Sequence, residues 1–168
     1  IRAEVEMTSD MPKDVDRILH YIKAMNQGLR RLESLPLSTR LICEVHKILL
    51  ENTGDAPGKT PGEFRTTQNW IGGASPTTAR FVPPPAQEMK RALSDWERFL
   101  HEKDNLTPLI KTALMHAQFE TIHPFLDGNG RVGRLLITFY LCHQDILERP
   151  VLYISEFFKK HREAYFDL

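Results

Sequence analysis

His123-Pro-Phe-Leu-Asp127-Gly-Asn-Gly-Arg131-Val-Gly-Arg134 gathers a histidine, an acid, a Gly-Asn-Gly loop and two arginines into twelve residues. The apolar run Leu135 to Leu141 follows at once, so the loop is expected to open a helix. A glycine loop at a helix N-terminus collects unpaired backbone N–H groups at the positive end of the helix dipole, which makes a seat for phosphate. Arg131 and Arg134 stand three apart and share one face of the first turn. Cations there oppose the dipole, an arrangement that makes sense with an anion bound between them. Asp127 offers a hard oxygen ligand, and Mg²⁺ usually takes one or two carboxylates together with phosphate oxygens and water. His123, with an ordinary pKa near ~6.5, suits proton removal at neutral pH. These parts read as a nucleotide phosphate site with a base beside it.

Working outward, the chain is dominated by helical spacing. Val15, Ile18, Leu19, Ile22, Met25 and Leu29 recur at three and four over residues 12 to about 34, with Pro12 in the first turn. Ser38 is the expected cap of a second helix carrying Leu41, Ile42, Val45, Ile48 and Leu49. Residues 52–62, rich in Gly, Pro and Asp, read as a loop. Further helices are expected over 86–102, 107–121, 131–146 and from Ser155 onward. Between Phe64 and Val82 the texture turns β-branched and aromatic, is broken by Gly72-Gly73, and runs into Pro83-Pro84-Pro85. That reads as a hairpin with a long tip. The expected architecture is all-α, a helical bundle with one small β-hairpin, in a single domain over residues 1–168.

Composition narrows the classes. Acidic and basic residues balance at 22 each, so nothing global favours nucleic acid, and any phosphate binding is local. No apolar run approaches membrane-spanning length and no signal peptide is visible. Cys43 and Cys142 sit on apolar helical patterns and read as reduced thiols, which with the missing leader leads to an expected cytoplasmic location. The chain starts at Ile1 and stops inside a helical pattern, so a fragment of a longer protein is expected.

One rival chemistry is visible in the same region. His116, Glu120 and His123 fall at i, i+4 and i+7 on one helical face, a spacing able to hold zinc. Against it, a fourth ligand is missing and Pro124 ends the helix there.

The run 123–134 resembles the signature of the Fic family, His-x-Phe-x-(Asp/Glu)-Gly-Asn-Gly-Arg-x-x-Arg, and every specified position matches. Pro61-Gly-Glu-Phe-Arg-Thr and Phe81-Val-Pro-Pro-Pro look like the segments that bound the family's flap, placing it at 61–85 as a hairpin over the active site. The resemblance implies transfer of AMP from ATP to a Ser, Thr or Tyr hydroxyl of a protein target, or to the protein itself. By the same resemblance His123 is the base and Asp127 holds Mg²⁺. Gly128, Asn129 and Gly130 form the anion hole, Gly133 counts with them among the nucleotide-binding residues, and Arg131 and Arg134 hold the distal phosphates. Phe125 packs beneath the loop. The flap residues Thr67, Gln68, Asn69, Trp70 and Ile71 dock the target, and Tyr165 on the last helix is a candidate adenine contact. For Trp70 and Ile71 plain packing competes with target contact, and for Tyr165 core packing is favoured over an adenine contact.

A Doc-type branch of the family phosphorylates instead, and its loop usually carries Lys where this chain has Gly130. AMP removal and a non-catalytic nucleotide- and peptide-binding module are the remaining alternatives. The resemblance also implies an inhibitory (Ser/Thr)-x-x-x-Glu-(Gly/Asn) helix. The only Glu-(Gly/Asn) pair here is Glu51-Asn52, with Lys47 where Ser or Thr is required, so the motif is expected upstream in a longer form.

Overall fold

The computed structural model describes residues 13–51, 58–151 and 154–167. Among these, α1 spans Lys13–Leu32, α2 Thr39–Leu50, α3 Ala86–His101, α4 Pro108–Ile122 and α5 Asn129–His143; α6 spans Ile154–Lys160 and α7 Arg162–Asp167. The helices sit where apolar spacing places them, and their ends follow local chemistry. Ser38, in extended conformation, caps α2 by accepting the Leu41 N–H through its hydroxyl at 3.4 Å. Pro108 occupies the first turn of α4. The expected last helix is split into α6 and α7. Pro12 and most of the 52–62 loop lie outside the described residues. No helix among the described residues is long and apolar enough to cross a membrane.

α5 is the central element. Its residues Val132, Leu135, Leu136, Phe139 and Tyr140 are buried together with Met115 and Phe119 of α4, Trp96 of α3, and Leu41, Val45 and Leu49 of α2. The Trp96 Nε1–H, buried by this packing, donates to the Met115 carbonyl at 2.9 Å, which removes the cost of an orphaned donor. α1 reaches α5 through Gly28, where any Cβ would overlap the Phe139 ring. The apolar stripe of α1 divides. Ala24, Met25 and Leu29 join the core, whereas Val15, Ile18 and Ile22 remain 40%, 59% and 43% exposed. Ile18 and Ile22 line a cleft of about 460 Å³ that also contains Arg131 and Arg134.

The expected β-hairpin is not formed as strands. Residues 64–82 are extended and turning chain joined by one antiparallel bridge, Ile71 to Phe81, with N···O distances of 2.9 and 3.2 Å. The ladder stops on both sides for physical reasons. Gly72 and Gly73 are both left-handed, at φ 69° and 72°, and turn the chain immediately after Ile71. On the other side Pro83, Pro84 and Pro85 have no N–H to donate. The Gln68 side-chain amide donates to the Pro83 carbonyl at 2.8 Å, taking an acceptor that a strand partner would use.

Candidate active site

The α4–α5 junction holds the run read first from the sequence. His123 ends α4 in a left-handed conformation, φ 47° and ψ 62°, its N–H still bonded to the Phe119 carbonyl. A non-glycine residue there is unfavourable and needs its surroundings to hold it. Three groups do so. Arg65 Nε donates to the His123 carbonyl at 2.9 Å, Asn69 Nδ2 donates to the same oxygen at 3.2 Å, and the Arg65 N–H donates to the Pro124 carbonyl at 2.9 Å.

Arg65 is 1% exposed, and burial alone lowers its pKa. Its guanidinium also donates to the carbonyls of Thr67, Ile122 and Pro84. It is therefore a cation at the carbonyl end of α4, where the helix dipole favours positive charge. The Asn69 Nδ2 additionally donates to the Phe125 carbonyl at 2.9 Å. Asn69, read as a target contact, is 9% exposed and faces the loop.

The loop closes on itself from below. Phe125 is fully buried and stacks on the His46 ring at 3.7 Å between centroids, 9° from parallel. Asn129 clamps the Phe125 backbone at both groups, accepting its N–H at 2.9 Å and donating to its carbonyl at 2.8 Å. Its side chain is thus committed to loop shape. His46 Nε2 donates to the Asp127 carbonyl at 2.9 Å while Nδ1 accepts the Gly62 N–H at 2.8 Å. Those bonds require the neutral ring, and burial pushes the His46 pKa down to about 4.

Gly128 stands at the N-cap of α5 with φ 80°, a conformation that favours glycine, and provides no side-chain cap to the helix's first N–H groups. Those donors point from the positive end of α5, as an anion seat requires. Arg131 and Arg134 rise from the same turn. The Asp127 carboxylate accepts the Gly128 N–H at 2.7 Å through Oδ1 and the Lys59 ammonium at 2.7 Å through Oδ2, with Arg131 3.6 Å away. Burial would raise the Asp127 pKa, but Lys59, the Gly128 N–H and Arg131 outweigh it and hold the group below the usual range.

His123 Nδ1 lies 3.2 Å from the Glu120 carbonyl. A carbonyl only accepts, so Nδ1 carries the hydrogen and Nε2 is the basic nitrogen. Burial pushes the imidazole below its ordinary pKa; the Glu120 hydrogen bond resists this, Arg65 adds to it, and Asp127 resists it. The ring is a neutral acceptor at pH 7.

The zinc alternative is not supported by this geometry. His116 Nδ1 donates to the Gly133 carbonyl at 3.1 Å and Nε2 accepts the Tyr165 hydroxyl at 2.9 Å, so neither nitrogen is available. No group of three or more His, Cys, Asp or Glu able to hold a metal occurs among the described residues. A divalent cation here has one carboxylate, Asp127, which fits Mg²⁺ carried in with phosphate oxygens. Tyr165 stacks on Phe158 behind His116. Trp70, Phe81 and Val82 are 40%, 40% and 45% exposed, an apolar surface on the 61–85 segment.

Sequence reasoning missed four residues that build this site: His46, Lys59, Arg65 and Glu120. Only Arg65 carried a local signal, inside Pro61-Gly-Glu-Phe-Arg-Thr. The others act across long sequence separations or were read as part of another pattern.

Residues 36–141 match the Fic/DOC family, and the chain belongs to it. It is 33% identical over 118 residues to the protein adenylyltransferase Fic of Drosophila grimshawi, covering 69% of this chain and 22% of that one. It is 32% identical over 118 residues to the protein adenylyltransferase fic-1 of Caenorhabditis elegans, covering 69% and 21%. The chain thus spans about a fifth of the length of the curated relatives it matches. Among solved structures, a Fic family protein from Desulfovibrio desulfuricans G20 superposes with a TM-score of 0.75 at 22% identity, over 96% of this chain and 46% of that one.

Proposed function

We propose that this domain transfers AMP from ATP to a hydroxyl of a protein target and releases pyrophosphate. The observation that carries the reading is the junction itself: an uncapped helix N-terminus with two arginines, beside a neutral imidazole whose Nε2 is the basic nitrogen. The names of the Drosophila and Caenorhabditis relatives favour the same chemistry.

In this reading the triphosphate lies at the N-terminus of α5. The backbone N–H groups of Gly128, Asn129 and Gly130 take phosphate oxygens, and Arg131 and Arg134 take the distal phosphates. His123 Nε2 removes the hydroxyl proton as the target oxygen attacks the α-phosphorus and the bond to pyrophosphate breaks. Donors fixed before the reaction stabilise spreading phosphate charge without reorganising, which supplies most of the acceleration in such transfers. General-base help adds typically ~10²- to 10⁴-fold. Asp127 would hold Mg²⁺, which neutralises phosphate charge, once Lys59 gives up its oxygen.

The 61–85 segment supplies position. Its exposed Trp70, Phe81 and Val82 offer an apolar face, and Ile71 sits at its single bridge. A target chain fixed there keeps its hydroxyl in line with the phosphorus. Thr67 and Gln68 contribute backbone and amide bonds that hold the segment's shape. By the family resemblance, Gly130 in place of the lysine usual in the Doc-type branch favours nucleotidyl over phosphoryl transfer; a side chain there would also lie close to Arg134, whose Nη1 is 3.2 Å from any Cβ.

Incubation with ATP labelled at the α or the γ phosphorus, with Mg²⁺ and candidate protein targets, tests the proposal. Label from the α position alone is expected. Label from γ alone makes the domain a kinase, and label from neither makes it a binding module.

A further inference from the structure

Glu120 has no part in the chemistry described so far, yet it lies between two of its groups. It stands in the last turn of α4, with its backbone carbonyl accepting the His123 Nδ1–H at 3.2 Å. Its carboxylate Oε2 lies 3.9 Å from that same nitrogen. Oε1 is buried without a hydrogen-bond partner. This oxygen occupies the hollow over Gly133, where a Cβ would collide with it. Gly133, inside the run first quoted, therefore makes room for a carboxylate as well as closing a helix turn.

The groups facing that carboxylate leave few partners. His116 spends its Nδ1–H on the Gly133 carbonyl, and the Tyr165 hydroxyl spends its hydrogen on His116 Nε2. Burial pushes the Tyr165 hydroxyl pKa up, and nearby Glu120 adds to it, so it remains a neutral donor to His116. Arg134 of α5 attracts Glu120 through space, yet no bond to it satisfies Oε1. The nearest remaining charge to be gained is on His123.

We propose that Glu120 is a positioning residue for His123: its carbonyl fixes the Nδ1–H tautomer, and its carboxylate faces the ring edge to balance the charge that appears when Nε2 takes a proton. The proposal rests on His123 being the base. The balance is simple. The target O–H bond breaks and its proton goes to Nε2, the oxygen pair forms the new bond to phosphorus, and pyrophosphate leaves with the old bonding pair. Nδ1 keeps its hydrogen throughout and Glu120 takes none. Burial raises the Glu120 pKa to about 7, with Arg134 opposing, so acidification through neutrality removes the balancing charge before the ring itself is titrated.

The test follows the His123 ring nitrogens and the Glu120 carboxyl carbon by NMR from pH 8 to 4, in the wild type and in Glu120→Gln. In the wild type each signal should bend at both titrations, as interacting groups do. In Glu120→Gln the ring should keep its Nδ1–H, and its signals should lose the bend near neutrality and follow one titration only. Single, independent titrations in the wild type overturn the proposal even if the variant fails to fold, as does a His123 bend near neutrality that persists in a folded variant. The base assignment fails separately: α-label transfer retained in His123→Ala removes it, whatever the NMR coupling.

Discussion

The loop at 123–134 and the segment at 61–85 face each other, but they are held in opposite ways. The loop is clamped from within by Asn129 on Phe125 and from below by His46, each polar atom answered by a backbone group. The 61–85 segment has one bridge of its own and is fastened by Arg65 and Asn69 reaching into the loop. A closed network fixes atoms to the tolerance that chemistry needs, whereas a singly bridged segment can adapt to an extended partner chain. The difference assigns rigidity to the phosphate seat and adaptability to the surface that would meet a protein.

Removing the fastener between the two regions should have the largest effect. Arg65→Met leaves the carbonyls of Ile122, His123, Thr67 and Pro84 without their shared donor. A loss of about 3–5 kcal/mol is expected in urea unfolding. Arg65→Lys should recover little, because an ammonium lacks the planar fork. A loss under about 1 kcal/mol would show that the two regions stand independently.

The clamp beneath the loop should give the molecule an acid sensitivity. His46 has a folded pKa depressed from 6.5 to about 4. Between those values the unfolded chain binds the extra proton, so stability present above pH 6.5 is lost as pH falls through the window. From pH 7 to pH 5 this amounts to about 2 kcal/mol. His116, also lowered to about 4, acts in the same direction, and Glu120, raised to about 7, acts in the opposite one. Comparing wild type with His46→Asn by urea midpoints at the two pH values isolates the His46 share. Equal pH slopes would remove it.

A smaller effect is expected at the edge of the loop. Lys59→Ala frees an Asp127 oxygen, so Mg²⁺ in the ATP complex should bind a few-fold more tightly by calorimetry. Unchanged Mg²⁺ affinity would place the cation away from that oxygen. Least perturbing for the fold is Ile71→Asp, expected to cost within about 1 kcal/mol because the residue is only partly buried. It should weaken target modification several-fold while ATP affinity stays within error. Equal losses in both would make Ile71 part of the loop's support.

The same two regions explain what was legible in the sequence. The loop was readable because its glycines, Asp127 and arginines each meet a local requirement of a helix start, and those requirements recur at fixed spacing. The positions of α1 to α5 were readable for the same reason, since apolar period and caps are local. The 61–85 segment was misread as a hairpin because β-branched and aromatic content reports fit to a pleated surface, not whether a ladder finds its N–H groups. Arg65 and Asn69 instead bond carbonyls 54 to 58 residues away. Asn69 reads as a target-docking residue only through the family resemblance, and nothing local marks His46. The split of α1 between core and cleft was equally hidden, because periodicity marks an apolar face without saying what covers it.

With reaction proposed at the loop and positioning at the 61–85 segment, one substitution separates the two most directly. In His123→Ala, transfer of label from α-labelled ATP to a protein target should be abolished in single turnover, while calorimetric ATP affinity stays within a few-fold of wild type. Transfer at the wild-type rate would take the base role from His123, and loss of ATP binding in a folded variant would make the residue part of the phosphate seat instead.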